Sequence, residues 1–151
     1  MTSPPRVLKL QNGVAVLHAE ATALIGCSDG LMTEWISRGL PRRGPDLVLF
    51  PDTSPLLVAG LFAVLAQAQR AGRKTPMRVV SAMDDEVAPA LVAAWLQAER
   101  DGFPVELEGE LPGATVSVGP FEVRAVPAVG GIGFELTVGG ESHSFRPSRG
   151  R

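Results

Sequence analysis

The chain has 151 residues, with 14 Lys and Arg, 16 Asp and Glu, two His, one Cys and a formal charge of −2 at pH 7. That length predicts one domain, and 45% hydrophobic residues supply a core rather than a disordered polymer. A lone Cys excludes an intrachain disulfide and a Cys-based zinc finger, two His exclude a histidine-cluster zinc site, and the near-neutral charge argues against a general nucleic-acid binder. Met1–Arg6 is polar and Pro-rich, with no apolar stretch behind a charged start, so no signal peptide is read there. Val7, Leu8 and Leu10 predict a first strand, and Asn12-Gly13 the turn after it. Val14–His18 and Ala23–Cys27 follow as strands, the second apolar enough to be buried. Ser28-Asp29-Gly30 has turn and helix-cap chemistry, with Asp29 expected to cap a helix over Leu31–Leu40 that stops at Gly39 and Pro41. Arg42 and Arg43 lie in the Pro41–Pro45 loop and, with Arg38, read as a solvated charge cluster.

Asp46–Phe50 predicts a buried strand, Pro51–Pro55 a turn, and Leu56–Ala71 a helix buried on nearly all sides and closed by Gly72. The apolar run Pro55–Ala66 is interrupted by Gly60 and falls short of the ~20 residues a membrane span needs. With a free Cys and no targeting signal, the chain reads as cytoplasmic. Met77–Ser81 is the next strand. Asp84, Asp85 and Glu86 then suit the start of a helix running to about Arg100, with Leu91, Val92, Trp95 and Leu96 as its buried face. Phe103–Leu107, Thr115–Val118, Phe121–Pro127, Gly133–Val138 and Ser142–Phe145 read as strands between Gly and Pro turns. The domain is placed at residues 1–145, with 146–151 a frayed tail. The middle of the chain alternates β and α, which predicts parallel strands, and the ends read as antiparallel. The expectation is a mixed α/β sheet with helices on one face.

Several landmarks together resemble the ribonuclease Z branch of the metallo-β-lactamase fold. They are the turn Gly26-Cys27-Ser28-Asp29-Gly30-Leu31, the helix end Arg38-Gly39-Leu40, the strand Pro45–Phe50 and the helix segment Val58-Ala59-Gly60-Leu61. Gly119–Pro127 and Gly133-Phe134-Glu135-Leu136 resemble two later strands of that family. The resemblance implies an α/β fold with mixed sheets: a truncated αββα sandwich, its strands-α-β-α-β-α order followed by a β meander. It also implies a His-x-His-x-Asp-His zinc motif after the strand Asp46–Phe50. Here the corresponding positions are Asp52, Ser54, Leu56 and Leu57, and Ala128-Val129-Gly130-Gly131 faces the next ligand position. Zinc needs three or four close N, O or S donors, and leucine offers none. No metal or other cofactor is therefore expected, nor a zinc-activated water.

Asp52 and Ser54 follow a buried strand, where open α/β sheets bind ligands, but Asp-x-Ser-Pro is also ordinary turn and N-cap chemistry. Cys27 and Asp29 mark a possible relic pocket, although Cys27 has no His nearby in sequence to act as its base. The leading reading is a non-catalytic member of this fold, a homodimeric binding or assembly module, with dimerisation covering a sheet face left bare by the short chain. A protein partner is possible and no membrane is involved. RNA binding through Arg38, Arg42, Arg43, Arg70, Arg73 and Lys74 is the alternative, with the overall charge against it. A metal-independent hydrolase using Asp52 and Ser54 comes last. Enzymatic activity is thus undecided, with the missing ligands weighing against it.

Overall fold

Three short strands open the chain: β1 (Arg6–Lys9), β2 (Val14–His18) and β3 (Ala21–Ile25), paired antiparallel through tight turns. The computed structural model describes residues 4–11, 13–51, 59–82, 86–98, 102–110, 113–129 and 131–146. After β3 the chain alternates helix and strand: α1 (Leu31–Ser37), β4 (Leu47–Phe50), α2 (Leu61–Arg70), β5 (Met77–Ala82), α3 (Val87–Ala98) and β6 (Val105–Glu110). β3, β4, β5 and β6 pair in parallel, as helix-long crossovers require. The first sheet thus has six strands in the order β1-β2-β3-β4-β5-β6.

The last strands, β7 (Thr115–Val118), β8 (Phe121–Ala128), β9 (Gly131–Val138) and β10 (Glu141–Phe145), form a separate antiparallel meander. The mixed sheet expected from the sequence is therefore joined by a second one, and the two-sheet architecture implied by the resemblance is the one observed. β4, in the interior of the sheet, is buried on both faces, which explains why it reads Leu-Val-Leu-Phe without alternation. Leu24, Val48, Phe50, Met77 and Val79 point into one core, shared with Leu31, Trp35, Leu61, Leu65 and Trp95 of the helices. Ala23, Ile25, Leu47, Leu49 and Val80 point the other way, against Phe121, Val123, Phe134, Leu136 and Val138 of the second sheet.

Several boundaries differ from the sequence reading. α1 stops at Ser37, three residues before Leu40, because Gly39 turns left-handed (φ 74°) and the Leu40 N–H returns to the Trp35 carbonyl at 3.1 Å. The described part of α2 begins at Leu61, with Ala59 and Gly60 in a turn, and Asp52 to Val58 lie outside the described residues. In α3 the buried row is Ala88, Val92 and Trp95, a spacing of i, i+4, i+7. Leu96 falls beside that row and is 45% exposed, not buried as its apolar character suggests.

The outer face of the second sheet is polar. Thr115, Ser117, Glu122, Arg124, Ser142 and Ser144 are exposed on it, so among the described residues it lacks the bare apolar surface from which dimerisation was argued. No helix among the described residues is long and apolar enough to cross a membrane.

Candidate functional site

In an open parallel sheet the functional end is the one where strands finish, because loops there diverge and leave a crevice. At that end β3 runs into Gly26 and Cys27, β4 into Pro51, and β5 finishes at Ser81 and Ala82. The Gly26 N–H donates to the Leu49 carbonyl at 2.9 Å, which holds the turn after β3 against β4. The start of α2 then seats on the same turn, with the Gly60 N–H donating to the Cys27 carbonyl at 2.9 Å. The seat is tight: a Cβ on Gly60 would lie 2.2 Å from the Ser28 carbonyl oxygen. The Gly-Leu landmark at the head of this helix is thus a steric requirement, because any side chain at Gly60 would drive α2 off the turn.

Cys27 lies in the floor of this region, fully buried among the helix-side core residues. Burial pushes its thiol up to about 12, so at neutral pH it is a protonated, apolar-environment thiol and not a nucleophile. Asp29 is exposed, and the cap of α1 falls on Gly30 (φ 88°) with no side-chain hydrogen bond. This corrects the expectation that Asp29 caps the helix. The Leu31 N–H instead closes the turn onto the Ser28 carbonyl at 3.1 Å, so the backbone supplies what a capping carboxylate would. Ser81, one strand over and in register with Phe50, was not singled out by sequence reasoning. It is 1% exposed, and its hydroxyl has no hydrogen-bond partner among the described residues. Its signal in the sequence is a hydroxyl following the apolar pair Val79-Val80 at the end of a strand.

Asp52, Ser54, Leu56 and Leu57 lie outside the described residues. The remaining donors do not assemble a metal site. Among the described residues no three His, Cys, Asp or Glu side chains come together. His18 ends β2, where its ring lies beside Gly139, and His143 lies in β10 with Nε2 3.4 Å from Glu141 Oε1. Val129, facing a ligand position of the implied motif, is a 91% exposed hydrocarbon. The described residues therefore offer no donor set that fits zinc.

The basic residues grouped by the sequence reading separate into two kinds. Arg38, Arg42, Arg43, Arg70 and Lys74 are exposed, while Arg73 is buried. Arg73 donates to the carbonyls of Thr75 (2.9 Å), Arg43 (3.0 Å) and Pro76 (2.7 Å), pairs with Asp46 Oδ1 at 3.2 Å and stacks its guanidinium over Phe103. Burial lowers its affinity for the proton and Asp46 acts against that. Arg73 is a structural cation, withdrawn from any surface function.

No family model matches the chain, and no curated protein is similar to it. Its likeness is to solved structures. The metallo-β-lactamase fold protein YhfI from Bacillus subtilis superposes with a TM-score of 0.62 at 14% identity, over 86% of this chain and 51% of that one. Zn2+-bound PqqB from Methylobacterium extorquens gives 0.60 at 18% identity, over 87% and 47%. The short form of human tRNase Z gives 0.68 at 14% identity, over 94% and 62%. This chain therefore spans about half to three-fifths of the length of these structures. Over that span, a six-stranded mixed sheet carrying helices on one face and an antiparallel meander on the other, the chain has the metallo-β-lactamase fold.

Proposed function

We propose that this chain is a non-catalytic, zinc-free module of the metallo-β-lactamase fold that assembles as a homodimer through the outer surface of α2 and α3. The absence of catalysis is argued from the donor set: the leucines at two of the four motif positions have no atom that binds a metal. The observation that carries the assembly reading is the helix layer. Val87–Ala98 contains no charged residue, and Ala90, Ala93, Ala94 and Leu96 are exposed along it. Phe62 on α2 is 38% exposed beside them, its ring 6.0 Å from that of Trp95. A helix that is apolar all round is ordinarily buried, and here the outer side has only solvent to face among the described residues. Small alanines let a facing helix approach closely, and an uncharged surface is compatible with its own copy across a two-fold axis.

Multi-angle light scattering at micromolar concentration tests this. The wild type is expected at twice its chain mass, and the exposed-site variants Ala93→Glu and Leu96→Glu at one chain mass with unchanged circular dichroism. Like charges brought together across the axis are worth several kcal/mol. A wild-type monomer, or a dimer indifferent to both variants, overturns the interface. Stoichiometric zinc in purified protein by elemental analysis overturns the non-catalytic reading.

A further inference from the structure

The parallel strands all start at the end opposite the candidate site, and the helices that cross back to them finish there. The topology therefore delivers Arg38 at the end of α1, Arg42 and Arg43 in the loop to β4, Arg70 in the last turn of α2 and Lys74 in the loop to β5 to one end of the molecule. All are exposed, and none makes an ion pair with a described residue. Arg73 ties the two loops together by donating to the Arg43 carbonyl, which fixes the loops relative to each other. Among the described residues the acids at this end are Asp46, Glu20 and Glu106, the last at the start of β6 and 3.5 Å from Arg78. Asp46 is committed to Arg73 and, through Oδ2, to the Thr22 N–H at 3.0 Å, and Glu20 stands alone in the β2–β3 turn. The Glu20 carbonyl accepts from Arg43 Nη2 at 2.8 Å. An open concavity of about 670 Å³ lies here, between the Ala19–Ala21 turn, Arg43, Thr75 and Pro120. A chain of net charge −2 thus concentrates unpaired cations on one end.

Some of this charge has a local use. Arg38 and Arg70 stand at helix C-termini, where cations offset the exposed carbonyls. Arg70 also donates Nη2 to Gln67 Oε1 at 3.2 Å, and the helix-end use does not apply to Arg42, Arg43 and Lys74. The surface is guanidinium-rich, and the planar fork of arginine matches phosphate oxygens in pairs. Among the described residues it has no exposed aromatic ring to stack a base: the Trp35 indole donates inward to the Pro41 carbonyl, and Phe103 is covered by Arg73. That argues for the backbone of a duplex over a single strand, which is gripped by stacking. Among the described residues its large exposed apolar side chains are Val7 in β1 and Leu96 in the last turn of α3, which stand at opposite edges of the six-stranded sheet and form no patch to enter a bilayer. We propose that this basic end docks the phosphate backbone of a nucleic-acid duplex without reading its sequence.

Fluorescence anisotropy with a labelled 20-base-pair RNA or DNA duplex tests the proposal on the full chain between 50 and 200 mM salt. Binding is expected to weaken as salt rises, with a log–log slope of up to ~4.5 if each named cation meets one phosphate at ~0.9 per contact. The surface double variant Arg42→Ser/Lys74→Ser is expected to lower that slope by ~1.8. Arg124→Ser, an exposed site on the second sheet, is the control and is expected to change nothing. No binding at 50 mM salt overturns the proposal, as does binding that the double variant leaves intact. Tighter binding to the single strand, to a polyglutamate peptide or to phosphatidylserine vesicles assigns the surface to that partner instead. The readout is independent of whether the chain dimerises, which light scattering reports separately.

Discussion

Cys27 is the residue at which sequence and structure meet most directly. Its sequence context offers no base, and its burial removes the remaining route to reactivity. An ordinary thiol titrates at 9.0, and this one is raised to about 12. Between those values the unfolded chain has lost a proton that the folded chain keeps. Stability from this group is thus fully present below pH 9.0 and declines as pH climbs toward 12. From pH 8 to pH 10 the wild type should lose about 1.4 kcal/mol more than Cys27→Ala, read from urea midpoints at the two pH values. Gly60 teaches the complementary lesson. Its place at the head of a helix was visible as a landmark, but the reason for it, a carbonyl of the preceding turn 2.2 Å from where a Cβ would sit, depends on a contact 32 positions away in the chain.

At the scale of elements, most strands were legible because apolar alternation or a continuous apolar run is a local property of sequence. Helix ends were less so. α1 ends where Gly39 reverses the backbone, and Leu96 looked buried because composition does not say which side of a helix faces the sheet. The pairing of β7 to β10 into their own sheet was not legible in strand pattern either, since it depends on packing against a sheet far away in the chain. Arg73 departs furthest from what its sequence context suggests. A cation in a basic stretch reads as solvated, yet this one pins the loops before β4 and β5. Replacing it by Met strands three carbonyls and leaves Asp46 without its partner. Because Asp46 is 26% exposed, most of the loss comes from the carbonyls rather than the ion pair. Arg73→Met should cost ~3–5 kcal/mol in denaturant unfolding. Adding Asp46→Asn should recover part of it, and full recovery would place the loss in the ion pair alone.

For the molecule as a whole, the six-stranded sheet is the wall shared by two cores, one under the helices and one under the second sheet. Damage to either core should therefore register in one transition. Leu65→Ala on the helix side should cost ~2–5 kcal/mol and Phe134→Ala on the sandwich side ~3–5 kcal/mol. Their double variant should add to within ~0.5 kcal/mol, since the sheet separates them. Circular dichroism and tryptophan fluorescence should trace the same urea curve, and two separated transitions would contradict a shared wall. The strand order also sets a timetable for folding. β1 to β3 and β7 to β10 pair with neighbours in sequence, so little chain entropy opposes their zipping. The joints β3–β4, β4–β5 and β5–β6 must each wait for a helix to form and swing across. The two ends of the chain can thus take shape before its middle, and the slowest passage is the one that closes the parallel strands beneath α1, α2 and α3.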